Sequence, residues 1–72
     1  MPVQSVDTSG LPIGLALKVE RVTAKVSQTR IAQAVGISLG HLSRIESGER
    51  VASPELIREI RVAIRASGKA VA

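Results

Sequence analysis

The sequence predicts an all-α fold, a compact bundle of four to five short helices, and three observations predict it. Apolar residues recur at spacings of three and four along four successive segments, the period that aligns one face of a helix. Serines precede three of these segments (Ser27, Ser38, Ser53) and glycines follow three (Gly36, Gly48, Gly68), the order of side-chain cap and helix stop. The apolar content is aliphatic, without Phe, Tyr or Trp, and Val, Ile, Leu and Ala allow the shallow, close helix contacts of a small bundle.

Residues 1–10 hold Pro2, Asp7, Thr8, Ser9 and Gly10 without helical periodicity and read as a flexible arm. The first helix is expected from Pro12, a good first-turn residue, to about Lys25, with Leu15, Val19, Val22 and Val26 on its buried face and Gly14 weakening its first turn. Ser27 caps a second helix whose inner residues are Ile31, Ala32 and Val35, and Gly36 ends it. Ser38 caps a third, with Leu42 and Ile45 inward, Gly48 as its stop, and Leu39, Gly40, His41, Ser43, Arg44 and Ser47 outward. After a loop at residues 49–52, Ser53, Pro54 and Glu55 supply a cap, a first-turn proline and an acid at the positive end of the helix dipole. Leu56, Ile57, Ile60, Ala63 and Ile64 form the inner stripe of that fourth helix, with Arg58, Glu59, Arg61 and Arg65 outside. The organisation expected is therefore an arm (1–10), one domain (11–67) and a short tail (68–72).

Composition narrows the function. Seventy-two residues are close to the smallest size at which one core suffices, and with no Cys and one His neither disulfides nor a Cys/His zinc cluster can help. No metal or other cofactor is expected. No apolar run approaches the roughly 20 residues that span a bilayer, so the chain is expected to be soluble, cytoplasmic and without a membrane role. No Cys nucleophile, phosphate-binding glycine loop or carboxylate placed to orient His41 is present, so neither an enzyme nor a small-molecule substrate is expected. A net charge of +4 favours a polyanionic partner, and the absence of aromatic rings argues against gripping single strands by base stacking.

The segment from Gln28 to Ser47 sharpens this. Packing one helix across another after a turn of three or four residues needs a small residue at the closest approach, a residue tolerating positive φ in the turn, and apolar anchors on both inner faces. Ala32, Gly36 and the set Ile31, Val35, Ile37, Leu42 and Ile45 fill those roles. Gln28, Ile31-Ala32, Val35-Gly36-Ile37-Ser38, Leu42-Ser43-Arg44-Ile45-Glu46 and Gly48 together resemble the helix-turn-helix of the phage repressor and Cro (lambda repressor-like) family. Ser53-Pro54-Glu55-Leu56 resembles the start of that family's fourth helix, so the similarity covers residues 15–66.

The resemblance implies a transcriptional regulator, a Cro-like repressor that places helix 38–47 in the major groove of double-stranded DNA. It assigns base reading to Ser38, Leu39, Gly40 and Arg44, with His41 and Ser43 close to bases or backbone. Arg44 is the strongest candidate, because its planar fork can bond guanine O6 and N7 together. The sequence departs from the family where relatives often carry long polar side chains: Leu39 offers apolar contact and Gly40 only close backbone approach. Phosphate contacts are implied for Gln28 and the start of the second helix, assisted by Ser27, with Arg50, Arg30 and Lys25 as sources of charge. The family often pairs an arginine of the first helix with a glutamate of the third, which implies an Arg21–Glu46 ion pair. One domain reads a half-site, so a homodimer on a palindromic operator is the default, with Val62, Val71, Leu11 and Ile13 as candidates for a partner surface or for covering the core instead. The alternative is a protein-interaction module or antitoxin-type co-regulator using the same fold.

Overall fold

The computed structural model describes residues 10–68. Their regular structure is α1 (Ile13–Thr23), α2 (Gln28–Val35), α3 (Leu39–Ser47) and α4 (Pro54–Ser67), an all-α architecture in which α1 packs on α3 and α2 packs on α4. The expected arm and tail fall outside the described residues, apart from Gly10 and Gly68.

Three helix starts follow one local rule. Ser27, Ser38 and Ser53 hold extended backbone angles, and their hydroxyls accept from the amides of Arg30 (3.1 Å), His41 (3.0 Å) and Leu56 (3.1 Å). Each bond satisfies an amide that the helix itself leaves without an acceptor. Gly36 and Gly48 end α2 and α3 at φ +77° and +87°, the left-handed region that a side chain disfavours. Gly68 caps α4 in extended conformation instead.

The first helix departs from expectation at both ends. Pro12 stands at the cap position rather than in the first turn, and the helix stops at Thr23 because Lys25 takes φ +62° and turns the chain toward α2. Its buried face is also different. Gly14, Ala16, Leu17 and Arg21 face inward, whereas Leu15 and Val22 are 42% and 56% exposed and Val19 is half-buried. Val26 is buried as expected, but from the loop beyond the helix.

The reason is that α1 carries two stripes at helical spacing, and α3 selects between them. Along Gly14, Leu17 and Arg21 the missing side chain admits α3 and the guanidinium meets a carboxylate. A methyl at Gly14 would collide with the carbonyl oxygen of Ile45 and lie 3.1 Å from that of Glu46. The Leu15/Val19/Val22 stripe offers neither feature.

The core is aliphatic, with Leu17, Ile31, Leu42, Ile45 and Ile60 its largest fully buried side chains, completed by Val26, Ala32, Ala52, Ala63 and Ile64. Val35, Ile37, Leu56 and Ile57 pack against it half-buried. Arg61, expected on the solvent face of α4, is instead partly buried: its Nε and Nη2 donate to the two carboxylate oxygens of Glu20, each at 3.0 Å, tying α4 to α1. Among the described residues no helix is long and apolar enough to cross a membrane, and no cluster of His, Cys, Asp or Glu could hold a metal ion.

Candidate nucleic-acid interface

Three residues join α2 to α3. The amides of Gly36 and Ile37 both donate to the Ala32 carbonyl, at 2.9 and 3.0 Å, which closes the end of α2 and aims the chain at the Ser38 cap. With Leu42, Ile45 and Glu46 buried, Leu39, Gly40, Ser43, Arg44 and Ser47 are left exposed. At 3.6 residues per turn, these positions fill one continuous arc of about 140° around α3. His41, expected outward, is half-buried at the margin of that arc.

Glu46 borders the arc on the other side and is the hub that holds α3 in place. Arg21 Nε donates to its Oε2 at 2.7 Å and Arg21 Nη2 to its Oε1 at 3.0 Å, so the two residues that the resemblance pairs are bound through two parallel bonds. The Arg21 and Glu46 side chains are 11% and 3% exposed, a setting in which such a pair is shielded from water. Arg21 Nη1 also donates to the Val26 carbonyl at 2.8 Å, bracing the residue just before the Ser27 cap. One guanidinium from α1 thus positions both the end of α3 and the beginning of α2.

Gln28 joins this network through a bond that no local spacing announces, its Nε2 donating to Glu46 Oε1 at 2.9 Å. The first residue of α2 is thereby fixed against α3, at the edge of the arc opposite Arg44. A carboxamide has two donor hydrogens and an acceptor oxygen, so one hydrogen and the oxygen remain for another partner. The Ser27 hydroxyl serves the Arg30 amide, while the Gln28 and Thr29 amides, in the first turn, lack intrahelical acceptors.

The charges around this surface are positive. Lys25, Arg30, Arg44 and Arg50 are exposed, and among the described residues none of their side chains has a hydrogen-bond or ion-pair partner. Arg50 follows α3 directly, its amide donating to the Arg44 carbonyl at 3.1 Å, and Ser47 Oγ donates to that same carbonyl at 3.1 Å. Glu49 is the exposed acid nearby in sequence; Glu46 is withdrawn into its bonds with Arg21 and Gln28.

The Gln28–Glu46 bond and the Glu20–Arg61 pair span 18 and 41 residues, and no local spacing signals such separations. Gly14 lies three residues before Leu17 and seven before Arg21, a helical spacing, but a glycine and an arginine do not register in a pattern of apolar residues.

A family model described as a helix-turn-helix domain matches residues 12–72, most of the chain. No curated protein and no solved structure matches it.

Proposed function

Because the chain belongs to the helix-turn-helix domain family of DNA-binding regulators, we propose that it acts as a Cro-like repressor, setting the exposed arc of α3 into the major groove of an operator. The observation that carries this reading is the Arg44 guanidinium, exposed on that arc and without an acceptor among the described residues. A short helix fits the major groove, and an arginine fork matches the two acceptors of a guanine edge. Ser38, Leu39 and Gly40 complete the base-facing surface. Leu39, 48% exposed, suits a thymine methyl. His41 and Ser43 stand close by.

In this reading Ser27, Gln28, Arg30 and Arg50 hold phosphates, with the amides at the start of α2 adding donors. Glu46 presents the Gln28 carboxamide to the backbone rather than competing with it. The protein binds as a homodimer on a palindromic site, its two α3 helices about 34–36 Å apart. Leu11, Ile13 and Val62, 38%, 41% and 57% exposed, are candidates for the contact between copies; Val71 lies outside the described residues. No enzymatic step, cofactor or small-molecule substrate enters this function, and it is exercised in the cytoplasm.

The test is anisotropy titration of a duplex from the DNA flanking its own gene. Three cations per protomer, Lys25, Arg30 and Arg50, make six in a dimer (3 × 2), and a slope of about −5 in log K against log salt is expected. Arg44→Ala is expected to lose about 1–3 kcal/mol of discrimination at one base pair while keeping its affinity for random duplex. Salt-independent binding, or a mutant with parental discrimination, contradicts the reading. The exposed Leu39 favours one rival, an antitoxin-type co-regulator that grips a protein through the same helix; it predicts no steep salt response on duplex.

A further inference from the structure

Gly40 occupies the first turn of α3, where glycine is the poorest helix former after proline. Its backbone does not require glycine, since Gly36 and Gly48 are the glycines at positive φ among the described residues. Nor does packing of the fold require it. A Cβ built at Gly40 meets only Arg44, with Nη1 at 3.4 Å and Cζ at 4.0 Å, whereas one at Gly14 strikes the backbone of α3.

The Arg44 contact has a simple origin. Side chains on a helix lean toward its N-terminus, so residue 44 lies over residue 40, one turn earlier. With no side chain at 40, the guanidinium lies beside the space that a side chain there would fill, its Nη1 3.4 Å from the place of a Cβ. Its charge is thus concentrated at the end of α3 that begins the exposed arc.

We infer that Gly40 is a positioning residue for Arg44: the space left by its missing side chain lets the guanidinium lie at the leading end of α3, and this decides which guanine the arginine reads. The inference rests on the reading that Arg44 faces base edges. A side chain longer than a methyl at position 40 takes that space, and the fork is displaced from the base pair it addresses.

Five proteins, the parent, Gly40→Ala, Gly40→Leu, Arg44→Ala and the combination of the last two, are each presented with randomised duplexes for selection and then with single-base variants of the selected site. Gly40→Ala places its Cβ in ordinary contact with Nη1 and keeps the guanine preference within about threefold. Gly40→Leu loses about tenfold or more of that preference, the scale of one bidentate pair. Combining Gly40→Leu with Arg44→Ala gives no further loss. Thermal melts keep folding separate, because both replacements are better helix formers and neither lowers Tm. Loss of preference in Arg44→Ala beside an unchanged preference in Gly40→Leu overturns the inference alone. Unchanged preference in Arg44→Ala removes the underlying reading, and the inference with it.

Discussion

Glu46→Ala is expected to destabilise the fold by about 3–5 kcal/mol, because it leaves the Arg21 guanidinium buried with only the Val26 carbonyl as acceptor and removes the partner of Gln28. Seventy-two residues sustain a total stability of roughly 4–11 kcal/mol, so this single loss takes a large share of it. In domains this small each kcal/mol moves Tm by about 4–8 °C, and a fall of at least about 12 °C in a circular-dichroism melt is the expected reading. The pair itself is a different matter. Two desolvated charges approximately offset their own attraction, so Arg21→Met with Glu46→Leu, which fills the same volume with apolar groups, is expected within about 2 kcal/mol of the parent. A Glu46→Ala melt within about 3 °C of the parent would show that the ion pair does not hold α1 to α3.

Gly14→Ala is the second large effect, and its sign opposes helix propensity. Alanine in an unobstructed helix is better than glycine by about 0.5–1 kcal/mol. Here the added methyl meets the carbonyl oxygens of Ile45 and Glu46, which are backbone atoms and cannot rotate aside. The two helices must separate, loosening Leu17 and lengthening the Arg21–Glu46 bonds, for a net loss of about 1–3 kcal/mol. Urea denaturation measures it. A variant as stable as the parent would mean that α1 and α3 are not packed backbone to backbone at this point.

These two residues also mark where the sequence was readable. Ser27, Ser38, Ser53, Gly36 and Gly48 act within one helical turn, so the starts and stops of α2 and α3 and the start of α4 were legible from neighbouring residues alone. The inner faces of α2, α3 and α4 were legible for a similar reason, each having one apolar stripe. In α1 the apolar stripe at Leu15, Val19 and Val22 was the wrong one, because periodicity of apolar residues does not register a glycine and an arginine as an inward face. Only the approach of Glu46, 25 residues later, makes that face favourable.

The candidate site divides along the same line. The exposed positions of α3 follow from the helix period once Leu42 and Ile45 are buried, and the resemblance named the same stretch. The resemblance also named the Arg21–Glu46 pair, but neither it nor the helix period supplied the next link, the bond by which Glu46 fixes the Gln28 amide. That is a long-range bond between polar groups. Arg61, read as one of three solvated arginines, illustrates the same blindness, since its partner Glu20 lies 41 residues earlier.

The central claim is that the exposed arc of α3, bordered by the start of α2, faces the duplex. Backbone amide shifts recorded while the 15N-labelled protein is titrated with a duplex from its own flanking DNA test it most directly. The largest changes are predicted at Ser38, Leu39, Gly40, Ser43 and Arg44, with Gln28 and Thr29 next. Changes centred on Arg58, Val62 and Arg65 of α4, with α3 silent, would contradict it.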